Sequence, residues 1–129
     1  MTTLIICLFI SLLLPILAKG PVAYAMNKLG GYDNRHPRAQ QAQLKGFGAR
    51  ALASHQNAFE AVIIFAPAIL IAIVTNNTGT VIQLLAISHI VSRVAYNLLY
   101  LFDSNILRSI VWGVGYITSL AIVFLCIPS

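Results

Sequence analysis

Between Ala61 and Ser92 the chain runs for 32 residues without a charged side chain. One helix of that length would reach about 48 Å, against about 30 Å for the hydrocarbon core of a bilayer. The run therefore has to fold back on itself. Thr75-Asn76-Asn77-Thr78-Gly79-Thr80, near its middle, supplies the turn-forming residues. Composition says what surrounds this hairpin. Hydrophobic residues make up 59% of the chain and charged residues 9%, where soluble domains carry about 25% charged. Eleven charges cannot cover a water-facing surface without leaving large bare apolar patches. The sequence is that of a multi-pass integral membrane protein, and it excludes a disordered chain or a secreted disulfide scaffold.

The pattern predicts an all-α fold, an up-down four-helix bundle in a single domain over residues 1–129. The helices are expected at roughly 2–26, 56–75, 80–101 and 105–127. Lys19 interrupts the first apolar run, and Pro15 is a candidate kink. Ala23-Tyr24-Ala25 resembles a signal-peptidase site, but no Lys or Arg precedes the apolar run. The first segment is therefore read as a retained helix. Residues 27–55 hold Lys28, Asp33, Arg35, Arg38, Lys45 and Arg50, together with Gly30-Gly31 and Pro37, and are expected as a polar loop. Asp103 or Ser104 is placed to cap the fourth helix, and Pro128 to stop it. Ser109, Gly113 and Gly115 on that helix permit close helix approach, within the chain or between subunits. Five of the eight basic residues lie in the long loop, Arg108 falls at the same end, and the 75–80 turn has none. The positive-inside rule then puts the loop in the cytoplasm and both termini toward the lumen, periplasm or exterior. Cys7 and Cys126 sit in apolar runs and read as buried free thiols.

Ionisable groups at membrane depth are costly unless answered, and so mark candidate function. Asn57 and Glu60 share a face of helix two, with Arg50 and His55 just before them. Arg93, Tyr96 and Tyr100 form one stripe on helix three, and Arg93 lies about 12 Å along the axis from Leu101. Arg108 opens helix four, followed by Ser109 and, one turn on, Trp112. Each residue alone has an ordinary explanation. Arg108 suits a topology anchor, Tyr100 and Trp112 suit interfacial aromatics, and Glu60 suits a structural ion pair with Arg93. Together they bring an acid, an amide, tyrosines and a surplus of arginines to one depth from three helices. A cationic surplus in a low-dielectric bundle invites an anionic ligand. Arginine forks match carboxylates, and Glu60 can accept from an ammonium. Glutathione carries two carboxylates, an ammonium and a thiol, and nearby guanidinium groups favour its thiolate.

The segments Arg50-Ala51-Leu52-Ala53-Ser54-His55-Gln56-Asn57-Ala58-Phe59-Glu60 and Arg93-Val94-Ala95-Tyr96-Asn97-Leu98-Leu99-Tyr100, followed by Arg108-Ser109, resemble the membrane-associated proteins in eicosanoid and glutathione metabolism, the MAPEG family. Tyr32-Asp33-Asn34-Arg35-His36-Pro37-Arg38 looks like its bacterial members, and the resemblance covers nearly the whole chain. It implies a homotrimer with glutathione bound as cosubstrate between neighbouring subunits. By motif position, Arg50, Asn57, Glu60, Arg93, Tyr96 and Tyr100 would bind it. Arg108, with Ser109 beside it, would be catalytic at the thiolate. A basic residue from the neighbour's first helix is implied too, with Lys19 and Lys28 both open. Gln56, Tyr96 and Trp112 depart from the prostaglandin-synthase pattern, which points away from that activity.

The expected function is a glutathione transferase or peroxidase acting on an apolar electrophile or lipid hydroperoxide from the membrane lipid. No metal is expected, since His36, His55 and His89 lack zinc spacing, and no nucleic acid. Two rival readings are a small four-helix transporter and a non-catalytic oligomeric scaffold.

Overall fold

The computed structural model describes residues 1–128. Five helices follow one another: α1 (Thr2–Asn27), α2 (Pro37–Gln41), α3 (Phe47–Val74), α4 (Thr80–Leu101) and α5 (Asn105–Leu125). All but α2 are long and apolar enough to cross a membrane. α1 packs along α3, α5 packs along α4, and α3 joins the two pairs. The result is the expected all-helical membrane bundle.

Small residues let the backbones approach. Ala68, Ala72, Ala86 and Ser119 are fully buried between helices, with Leu4, Phe65, Ile69 and Ile122 filling the space around them. In lipid no solvent drives apolar side chains together, so close packing of this kind carries helix association. The outer faces are apolar as well: Phe9, Leu17, Ile63, Val74 and Phe124 are all at least 60% exposed. Cys7 and Cys126 are free and lie in the same core cluster.

The turns follow their chemistry. Asn76 takes a left-handed φ of 57° and Asp103 one of 61°, conformations that short polar side chains tolerate. Asn77 Nδ2 donates to the Leu125 carbonyl at 2.8 Å, tying the α3–α4 turn to the end of α5. Pro15, Pro21 and Pro67 lie inside helices. A proline leaves a carbonyl four residues earlier without its helical partner, which a membrane helix accommodates through its neighbours.

The long polar connection differs from the expected loop over 27–55. α3 begins at Phe47, not near residue 56, so Arg50 and His55 are helical. Charge in this stretch suggests irregular structure, but Phe47–His55 is rich in helix formers, and Gly46, at φ 54°, marks the true start. A helix of 28 residues is about 42 Å long, so its first turns stand clear of the hydrocarbon and can carry charge. α2 is an addition to the expected elements. It opens on Pro37, a favoured first-turn residue. α5 ends at Leu125 instead of 127, and α1 extends to Asn27.

Gln40 holds the connection together. Its side chain is buried, donates to the carbonyls of Gly31 at 2.7 Å and Met26 at 3.2 Å, and accepts from the Asp33 N–H at 2.9 Å. Asp33 Oδ1 in turn accepts from the backbone N–H groups of His36 at 3.1 Å and Arg35 at 2.9 Å. These bonds favour the ionised carboxylate and hold it below its ordinary value of 3.8, the His36 amide contributing most. A lowered folded value stabilises the turn above the ordinary value, and that stability disappears as pH falls through the folded one. Hydrogen exchange at the Arg35 and His36 amides should therefore accelerate on strong acidification. Asp33→Ala should show the fast exchange at neutral pH as well. Unchanged exchange in the variant would show that the carboxylate does not hold the turn.

Candidate functional site

At the end of the bundle that carries the basic residues, α3, α4 and α5 bring their polar side chains together. Arg93 is the centre. It is only 4% exposed, and its Nη2 donates to Asn57 Oδ1 on α3. Asn57 Nδ2 donates to Glu60 Oε2 at 3.0 Å. Among the described residues the one close acid–base pair is His36 with Asp33, at 3.7 Å. Glu60 thus answers Arg93 through an intervening amide, not by direct contact. The cation on one side and the carboxylate on the other dictate which way the Asn57 amide points.

A ladder of rings and guanidinium groups continues from Arg93. Its guanidinium lies over the Tyr96 ring at 4.3 Å. Tyr96 meets Tyr100 edge to face at 5.6 Å. The Arg108 guanidinium, arriving from α5, lies over Tyr100 at 4.2 Å. Two cations therefore bracket two phenol rings, and each stack is worth about 0.5–2 kcal/mol depending on desolvation. The spacing along α4 makes this possible, because residues 93, 96 and 100 fall on one face.

A cleft of about 70 Å³ opens beside the ladder, walled by Asn57, Glu60, Arg93, Trp112 and Tyr116. Trp112 stacks on Tyr116 with ring centroids 5.4 Å apart. Drug-sized ligands usually occupy about 300–1,000 Å³, so the cleft within one chain is too small to enclose one. A separate groove of about 480 Å³ lies on the other side of α3's exposed ridge. Lys19, Tyr32, Arg38, His55, Gln56 and Phe59 are among the residues lining it. Gln56 belongs to this groove and Glu60, one turn later, to the cleft.

Asn57, Glu60, Arg93, Tyr96, Tyr100 and Arg108 are thus brought into one connected set. Arg50 is not part of it. It lies two turns before Asn57 on α3, and its Nη2 donates to the Leu101 carbonyl at 3.5 Å, at the C-terminal end of α4. A cation is favoured at that helix end whatever else it does. Ser109 neighbours Arg108 on an exposed groove, but its hydroxyl is turned back to the Asn105 carbonyl at 3.1 Å. Trp112, which suits an interfacial aromatic by sequence, walls the cleft.

Ser54, Asn97 and Tyr116 contribute as well and do not stand out in the sequence. Ser54 donates to Asn97 Oδ1, a second rung between α3 and α4 one turn from the Asn57–Arg93 bond. The matched spacings 54/57 and 93/97 are the available signal. Tyr116 follows Trp112 by four residues, also legible as a stripe. Gly115 permits close helix approach, and the partner it admits lies within the chain. A Cβ there would sit 2.7 Å from Ser92 Oγ and 3.2 Å from Arg93 Cδ.

The chain belongs to the MAPEG family, whose family model matches residues 3–128. Comparison with curated proteins and with solved structures finds no match.

The Gly115 contact yields a paired test. Gly115→Ala should lower stability in detergent by about 1–2 kcal/mol, overpacking outweighing alanine's better helix propensity. Nothing lies within 4 Å of a Cβ at Gly113, so Gly113→Ala should be neutral or mildly stabilising. Thermal unfolding of both variants checks this, and equal midpoints would mean α4 and α5 have room to spare at Gly115.

Proposed function

We propose that the protein binds glutathione at the Arg93–Arg108 ladder and uses its thiolate against apolar electrophiles or lipid hydroperoxides delivered through the bilayer. It acts as a glutathione transferase or peroxidase. The observation that carries this reading is the connected set Glu60–Asn57–Arg93–Tyr96–Tyr100–Arg108, which offers cations, a carboxylate and hydroxyls in one place at the edge of an apolar bundle. Guanidinium groups take the tripeptide's carboxylates, and exposed Glu60 takes its ammonium.

Arg108 is assigned to the thiolate. It is partly exposed, and a guanidinium beside the sulfur favours the ionised form. The thiol proton leaves to water and the sulfur attacks the electrophilic carbon, displacing an anionic leaving group. With a hydroperoxide it attacks the terminal oxygen instead and breaks the O–O bond; an alcohol departs after protonation, and a second glutathione reduces the resulting sulfenic acid, giving glutathione disulfide and water. The protein contributes nucleophile activation and proximity.

The assembly is proposed as a homotrimer. The 70 Å³ cleft and the 480 Å³ groove flank the same exposed ridge of α3. Packing copies around that ridge lays the groove of one copy against the cleft of the next. Lys19 lines that groove, whereas Lys28 lines a different pocket with Tyr24, Lys45 and Phe47. Lys19 is therefore assigned as the basic residue supplied by the neighbour. The crowding of basic residues at this end supports a cytoplasmic loop and non-cytoplasmic termini, and the likeness of residues 32–38 to bacterial members supports a bacterial inner membrane.

Calorimetry with glutathione and a conjugation assay with a chlorodinitrobenzene-type electrophile test the proposal. Arg108→Ala should lower kcat roughly 100-fold with the helical circular dichroism unchanged. Glu60→Gln should weaken glutathione binding about tenfold. Turnover equal to the parent's in Arg108→Ala would remove that residue from the mechanism. No heat of binding in the parent would leave the scaffold reading.

A further inference from the structure

We propose that His89 is a positioning residue for Arg93 and acts through one internal water molecule held between the two side chains. The placement comes from local geometry; only its effect on ligand affinity rests on the glutathione reading above.

His89 precedes Arg93 by one turn of α4 and is 2% exposed. Its ring stacks on Phe65 with centroids 3.9 Å apart and planes within 4°. Nδ1 lies 2.9 Å from the Gly115 carbonyl oxygen. A carbonyl only accepts, so Nδ1 carries the proton, and the neutral ring presents a lone pair at Nε2. Ser119 Oγ, 3.0 Å from Nδ1, is also 3.1 Å from the Gly115 carbonyl and donates to it. Its own lone pair then faces the Nδ1 proton, which reinforces this tautomer.

Two buried nitrogens nearby have no protein partner: His89 Nε2 and Arg93 Nε. Their needs are opposite. Arg93 Nε–H requires an acceptor and His89 Nε2 requires a donor, and water supplies both. His89 and Arg93 line one small cavity with Ser11, Ala58 and Asn97, leaving about 10 Å³ of space for a water molecule. That is about the room one water needs, and a buried water takes two to four polar partners. Ser11 Oγ donates to the Leu8 carbonyl, so it retains lone pairs for the remaining water hydrogen.

The consequence for Arg93 is orientation. Nη2 is fixed by Asn57 and Nε is fixed from behind by the water, so the guanidinium plane cannot swivel above Tyr96. Its remaining N–H groups then keep the fixed fork that carboxylate recognition requires.

The test is solution NMR of the ¹⁵N-labelled protein in detergent micelles, without ligand. Two-bond imidazole correlations should show His89 protonated at Nδ1 and bare at Nε2 at neutral pH. The Arg93 Nε–H should show a water-selective rotating-frame Overhauser peak. An Nε2-protonated or doubly protonated ring, or an Arg93 Nε–H with no water contact, overturns the proposal. Both readings come from the unaltered protein and hold whether or not a variant folds.

His89→Gln and His89→Leu then separate positioning from packing. The glutamine amide can donate to Gly115 and accept from the water, whereas leucine can do neither. His89→Leu should shift the Arg93 Nε resonance and weaken glutathione binding about tenfold, and His89→Gln should restore most of both. Equal losses in the two variants, or no change in either, overturn the positioning role. Should the parent bind no glutathione, the preceding proposal falls, and the water contact and resonance shift alone decide this one.

Discussion

A guanidinium held inside a membrane bundle has to be answered from several directions at once, and the packing around Arg93 shows how this chain does it. An amide on α3 takes one nitrogen and passes the charge on to Glu60. A phenol ring on its own helix lies beneath the guanidinium plane. A glycine on α5 leaves room for the side-chain stem. Remove any of these and an ion of high desolvation cost stands partly unanswered. The approach of α3, α4 and α5 at this end of the molecule is therefore tied to satisfying one side chain.

The two ends of the bundle are built on different principles. Away from the basic loop, Phe65, Ile69, Ile82 and Ile122 close around small residues in a mainly apolar core, with His89 and Ser119 buried at its edge. Toward the loop a smaller apolar cluster of Val22, Met26 and Ala51 is joined by polar, directional contacts: Ser54 to Asn97, Asn57 to Arg93, Arg50 to the end of α4. Packing and hydrogen bonds both hold membrane helices together, but only hydrogen bonds leave donors and charges for a ligand. The Gln40 clamp extends the polar end into the connection between α1 and α3, holding that long segment against the bundle.

Residues whose roles depend on spacing along one helix are legible in the sequence. Asn57 with Glu60, and Arg93 with Tyr96 and Tyr100, recur at three or four residues and so have to share faces. Residues whose roles depend on a second helix are not legible in this way. Arg50 has the same chemistry as Arg93 and sits close to Asn57 in the chain, yet it serves the end of α4. Ser109 stands beside Arg108, yet its hydroxyl turns back to its own helix. His89 carries no signal in sequence, because its tautomer is imposed by a carbonyl 26 residues away. The start of α3 is hidden for a related reason: charge reports what a residue faces, and a helix long enough to leave the membrane can face water.

The sequence alone determined that four apolar segments cross a bilayer, where they turn, and which polar stripes they carry, because hydrophobic length and helical periodicity are local properties. Only the tertiary structure decided that Glu60 reaches Arg93 through Asn57, that Arg108 stacks on Tyr100 from another helix, and that Gly115 serves α4 within the same chain. Those contacts depend on the rotation and depth of each helix against its neighbours, and no single helix contains that information.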